Sequence, residues 1–140
     1  MSTLEKAIAL AANRHAGQVD KANQPYILHP LRVMLKMKTT PQQIVAVLHD
    51  ILEDTNTTVV ELITLGFSSE IVDAVIALTK KEDENRIEVA YRIVKNPLAR
   101  AVKLADLADN MDISRIPQPS SGDLLRLEEY KKVHQILISG

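Results

Sequence analysis

From Ile44 to Leu52 the chain reads Ile-Val-Ala-Val-Leu-His-Asp-Ile-Leu, and no other segment restricts the fold as strongly. Up to Leu48 a helix built from these residues is apolar on almost every side, so it must lie at the centre of a core with other helices around it. Thr40 reads as its cap, with Pro41 at the first helical position and Gln43 completing a capping box. Apolar residues recur at helical spacing along nearly all of the remaining sequence, and convincing two-residue alternation is absent. The pattern predicts an all-α bundle of seven or eight short helices.

Local signals place the other helices. Ser2 with Glu5 reads as a capping box opening a helix to about His15, with Gly17 as its stop. A short helix is expected from Pro30 to Met37. Further helices read as Thr58–Leu65 (stopped by Gly66), Ser69–Thr79, Asn85–Lys95 and Pro97–Asp112. Ile116 to Gly122, with two prolines and two serines, reads as a loop before a last helix at about Asp123–Ile138. With no repeat, low-complexity tract or dividing linker, residues 1–140 are expected to form one domain, large enough to bury a core without staples.

Composition removes several classes of function. The formal charge of −1 gives no whole-molecule attraction to nucleic acid or a membrane surface, so phosphate binding must be local. One Phe, three Tyr and no Trp leave no aromatic platform for single-stranded nucleic acid. No Gly-rich phosphate loop is present. Without Cys, disulfides, zinc–thiolate sites and thiol nucleophiles are excluded. The first residues do not read as a signal peptide, and no apolar run is long enough to cross a bilayer, so a cytoplasmic chain is expected. The sequence leaves homo-oligomerisation open.

Three segments carry polar residues against the apolar pattern. In the first, His49, Asp50, Glu53 and Asp54 surround Ile51 and Leu52 at the end of the central helix. Burying carboxylates there costs several kcal/mol unless a cation or donors offset it, and no Lys or Arg lies within a helical turn. A metal ion is the economical source of charge; a helix that simply ends in solvated acids is the plain alternative. In the second, Lys103, Asp106 and Asn110 share one face of a helix rich in small residues, either as a site wall or as a solvated stripe. In the third, His29 stands between Tyr26-Ile27-Leu28 and Pro30, where rigidity suits an aimed ring. His15 and His134 read as surface histidines. Together the segments offer two imidazoles and two carboxylates, a set suited to Mn²⁺, Fe²⁺ or Zn²⁺ with positions left for water and substrate.

A His, then a His-Asp pair on a central helix, then a distant Asp resembles the order of the HD phosphohydrolase superfamily. The likeness extends further. His15-Ala16-Gly17-Gln18, Pro25 to Pro30, Leu48-His49-Asp50 with Glu53-Asp54-Thr55, and Val102 to Asp106 with Asn110-Met111 resemble the hydrolase domain of the RelA/SpoT alarmone enzymes. These motifs run in order from residue 15 to 111. The resemblance implies a small stand-alone alarmone hydrolase with His29, His49, Asp50 and Asp106 as metal ligands and Mn²⁺ as the usual ion, other divalent transition metals being alternatives. It further implies that Glu53 and Asp54 handle the nucleophilic water and proton transfer, that Lys21 contacts substrate phosphate, and that Asn110 lies near the nucleoside. Lys103 stands in the same motif with a substrate or structural role, and Arg14 is a further candidate for screening phosphate.

The sequence also departs from that family. Asp20-Lys21 stands where an Arg-Lys pair is usual, which removes a planar donor suited to stacking and bidentate contact. Leu107-Ala108-Asp109 replaces an Arg-Leu-His type segment. The implied reaction is removal of the 3′-pyrophosphate from guanosine tetra- or pentaphosphate, a small-molecule nucleotide partner. Two alternatives stand beside it: the same chemistry on another nucleotide, and a non-catalytic, metal-stabilised nucleotide sensor. The run Lys80 to Glu84 reads either as part of the pocket or as a solvated loop.

Overall fold

The computed structural model describes residues 2–140, and the fold is all-α. Its helices are α1 (Leu4–Arg14), α2 (Leu28–Leu35), α3 (Thr40–Leu48), α4 (Ile51–Asp54), α5 (Val59–Thr64), α6 (Ser69–Leu78), α7 (Arg86–Val94), α8 (Pro97–Asn110) and α9 (Ser121–Ser139). A 3₁₀ turn occupies Ile113–Arg115. Among the described residues no helix is long and apolar enough to cross a membrane.

The central helix owes its position to its sequence. Ile44 to Leu48 are all buried, because this part of α3 packs among α1, α2, α6 and α8. Its N-terminus is set one residue earlier than the sequence suggested. Thr39 is extended and accepts from the Gln42 backbone N–H, while the Gln42 side chain accepts from Lys38 and Thr39 N–H groups. The same kind of reciprocal cap starts α5 at Thr58/Glu61, α7 at Asn85/Glu88 and α9 at Ser120/Asp123. At the chain start the cap is Thr3, bonded to Lys6 N–H, because the Ser2 hydroxyl is instead spent on the Leu65 carbonyl. Gly17 and Gly66 adopt φ of 86° and 95° as the turns after α1 and α5, a conformation that favours Gly. Gly122 lies inside α9 rather than in the loop before it.

The expected run of one helix through Leu52 is interrupted at His49–Asp50. Asp50 sits at φ −104°, ψ 2°, and α4 is a single turn beyond it. The Ala46 carbonyl accepts from both the backbone N–H and the ring Nδ1–H of His49, which tightens the end of α3. This break turns His49 and Asp50 together toward α2 and α8. Leu48 is fully buried just before the break. Leu48→Ala should therefore cost about 2–5 kcal/mol by transfer and cavity terms, read from the urea midpoint of the variant against wild type.

Candidate metal centre

α2, the α3–α4 break and α8 bring four side chains to one point. His29, His49, Asp50 and Asp106 each offer a ligand atom, all within 4.8 Å of one another. The Asp106 Oδ1 atom lies 2.8 Å from His29 Nε2 and 3.2 Å from His49 Nε2. The Asp50 Oδ2 atom lies 3.0 Å from His49 Nε2 and 3.8 Å from His29 Nε2. Both rings are buried. Each also has its far nitrogen fixed: His49 Nδ1 donates to the Ala46 carbonyl at 2.6 Å, and His29 Nδ1 to Asp109 Oδ2 at 2.6 Å. A carbonyl can only accept, so Nδ1 carries the proton in His49 and the Nε2 atoms of both rings face the carboxylates.

The electrostatics fit a divalent cation. Burial pulls both imidazoles toward neutrality, but the carboxylates around them outweigh it. Asp106 and Asp109 hold His29 above its ordinary value, and Asp50 and Asp106 hold His49 well above. Burial likewise raises Asp106, yet Lys103 and the two histidines keep it well below the usual carboxylate range. The carboxylates thus favour positive charge at the Nε2 atoms, and a divalent cation would supply that charge once Nε2 is free of a proton. Two imidazole nitrogens with carboxylate oxygens is a donor set suited to first-row divalent metals.

Asp106 is the hub. Its Oδ2 accepts from Lys103 Nζ at 2.9 Å, and its Oδ1 also accepts from Asn110 Nδ2 at 3.1 Å. Lys103 thus holds a candidate ligand, and its ammonium supplies charge that the residues near His49 lack. Tyr26 donates its hydroxyl to Asp50 Oδ2; burial and then Asp50 push its ionisation far up, so it remains a donor.

The cluster floors a cavity of about 310 Å³. Glu53 and Asp54 line it one turn beyond His49 and Asp50, and Lys80, Arg86, Lys103 and Tyr130 line it as well. The Lys80 backbone N–H donates to Glu53 Oε1 at 2.9 Å, so the segment after α6 orders the acid and belongs to the pocket wall. Burial, Asp50 and Glu53 push the Asp54 carboxyl up to about 6. A second cavity of about 360 Å³ adjoins the first and shares Tyr26, His29 and Asn110 with it. Lys21 lines this second space, its Nζ 3.5 Å from Asp123 Oδ1, rather than the space above the cluster.

Arg14 lines neither cavity. Its guanidinium pairs with Glu61 on α5 at 2.7 Å and bonds the Thr57 hydroxyl. His15 is buried rather than at the surface, its Nδ1 2.8 Å from Gln18 Oε1 and its ring 5.0 Å from Tyr26, because the turn at Gly17 folds it under the loop. His134 is half-buried. Asp20 Oδ1 accepts from the Ala22 and Gln24 backbone N–H groups and closes its own turn. Sequence reasoning missed Arg32, Asp109, Arg115, Arg86 and Tyr130. A signal existed for one pair: His29/Arg32 and Asp106/Asp109 both stand three apart on facing helices.

An all-α domain whose central helix breaks to aim a His-Asp pair at a second His and a distant Asp defines an HD-type fold. The HD domain family matches residues 7–114, and the chain belongs to that family. A guanosine-3′,5′-bis(diphosphate) 3′-pyrophosphohydrolase of Aquifex aeolicus is 32% identical over 120 residues, covering 77% of this chain and 17% of the relative. A GTP pyrophosphokinase of Myxococcus xanthus is 34% identical over 129 residues, 79% of this chain and 17% of the relative. The chain spans 17% of the length of both curated relatives. A solved structure described as a metazoan ortholog of SpoT that hydrolyzes ppGpp matches 99% of this chain and 85% of its own, with a TM-score of 0.77 and 21% identity. At that identity the likeness speaks for the fold.

Proposed function

We propose that residues 1–140 act as one unit that removes the 3′-pyrophosphate of guanosine tetra- or pentaphosphate, giving GDP or GTP and pyrophosphate, with Mn²⁺ as cofactor. The observation that carries this reading is the pairing, in one cavity, of the His29/His49/Asp50/Asp106 group with two further acids and three cations. The names of the Aquifex aeolicus relative and of the metazoan structural neighbour support the substrate.

A divalent cation at this site supplies Lewis acidity to a water and to a phosphoryl oxygen. The chain's own residues do the rest. Lys80, Arg86 and Lys103 offset the charge of the substrate's phosphates. Glu53, ordered by Lys80 N–H, orients the water and takes its proton as the oxygen bonds to the phosphorus attached to O3′. The bond from that phosphorus to O3′ breaks, and Asp54, pushed up to about 6, is placed to return a proton to O3′. Asn110 reaches both cavities and Lys21 lines the second, where the nucleoside would extend. A nucleotide of this kind sets the proposed location in the cytoplasm, with no nucleic-acid or membrane partner.

The state of Asp20 favours a second reading, the same chemistry on another nucleotide. With its carboxylate engaged by its own turn, the loop offers no planar donor for guanine. Purified protein with Mn²⁺ and guanosine 3′,5′-bis(diphosphate) should release pyrophosphate, and the adenosine analogue should be turned over more slowly. Equal turnover of both supports the second reading; no release while Mn²⁺ is bound rejects the substrate.

A further inference from the structure

The Asp109 carboxylate lies behind His29, away from the metal cavity, and is buried to 4% exposure. Four hydrogen bonds converge on it. His29 Nδ1 approaches Oδ2 at 2.6 Å, Arg32 contributes Nε at 2.8 Å and Nη2 at 3.0 Å, and Arg115 Nη1 reaches Oδ1 at 3.3 Å. Arg115 Nη2 also bonds the Asp109 carbonyl at 3.3 Å, tying the 3₁₀ turn to α8.

A buried carboxylate with two arginines beside one imidazole is more than one hydrogen bond needs. A single acceptor would hold a ring in place; Arg32 and Arg115 add charge-assisted hydrogen bonds that fix the carboxylate itself. An anionic acceptor on Nδ1–H fixes which nitrogen is protonated, limits rotation of the ring and raises the basicity of Nε2. The His49 ring has only a backbone carbonyl in the corresponding place. The two imidazoles of the cluster are thus supported unequally, and His29 is the more strongly polarised.

We propose that Asp109, clamped by hydrogen bonds from Arg32 and Arg115, is a positioning residue that orients His29 and strengthens its Nε2 as a metal ligand. The inference rests on the metal-centre reading above. In Asp109→Ala the His29 ring loses its anchor, and Mn²⁺ affinity should fall about 10–100-fold, the range for loss of an outer-shell partner. Asp109→Asn keeps an acceptor oxygen but not the charge, so its affinity should lie between those of wild type and Asp109→Ala. Free Mn²⁺ counted by electron paramagnetic resonance reads these constants directly. In Zn²⁺-loaded protein, nitrogen-15 NMR should show the His29 Nδ1 proton strongly downfield in wild type and shifted or lost in both variants. If Asp109→Ala does not fold, Asp109→Asn alone decides. Lowered thermal stability with wild-type Mn²⁺ affinity and an unchanged His29 resonance would make Asp109 a structural tie only and overturn the proposal. Wild-type protein that binds no Mn²⁺ would overturn the metal centre and this inference together.

Discussion

Asp106→Ala is expected to abolish both Mn²⁺ binding and hydrolysis. This one carboxylate accepts from His29, His49, Lys103 and Asn110, so its removal leaves four donors facing one another. Two imidazoles lose the anion that balances them, and the Lys103 ammonium is left half-buried without its partner. Breaking a buried pair by deleting one member costs about 3–5 kcal/mol, so a matching drop in urea stability should accompany the loss of metal. The loss of Mn²⁺ affinity should exceed the roughly 10–100-fold that removing an outer partner produces, because a ligand itself is gone. Asp106→Asn separates the two effects: it restores most of the volume and some hydrogen bonding, and so recovers stability, but not metal affinity. Titration of Mn²⁺ by calorimetry, with urea unfolding of the same samples, checks both.

Glu53→Gln should do the reverse, keeping the metal and losing the chemistry. Glu53 is outside the four-atom cluster, and its Oε1 accepts from Lys80 N–H, a bond that a Gln oxygen can also make. The pocket wall is therefore preserved, while the ability to take a proton from water is lost. A general base contributes about 10²–10⁴-fold, so kcat should fall by that factor with KM and Mn²⁺ affinity unchanged. Steady-state kinetics beside Mn²⁺ titration checks this. Wild-type kcat in the variant would remove Glu53 from the mechanism and favour a binding module.

The all-α class was legible because the apolar spacing is helical throughout, and α3 declared its central position by being apolar all round. Helix starts were read less well. Thr39 and Thr40 are adjacent threonines with glutamines three residues on, so the capping-box pattern fits both, and the structure uses Thr39 with Gln42. The break after Leu48 was invisible, since His49 and Asp50 carry no Gly or Pro signal; at the break the His49 ring bonds the Ala46 carbonyl. Of the site, the four clustered residues could be named only by joining three segments through a family pattern, because their spacing spans residues 29 to 106. What surrounds them was hidden for a different reason. Arg32, Asp109 and Arg115 are ordinary polar residues in sequence and come together only when α2 meets α8 and the 3₁₀ turn after it, as Tyr26 meets Asp50 only at the break after α3. Arg14 shows the converse, since a basic residue near a motif found its partner in Glu61 on another helix.

The central claim is a single divalent cation held by His29, His49, Asp50 and Asp106, and counting Mn²⁺ bound per chain tests it most directly. Wild-type protein should bind one Mn²⁺, and His29→Ala, His49→Ala and Asp106→Ala should each bind none at the same free concentration. No binding by wild type, or undiminished binding by all three variants, would contradict it.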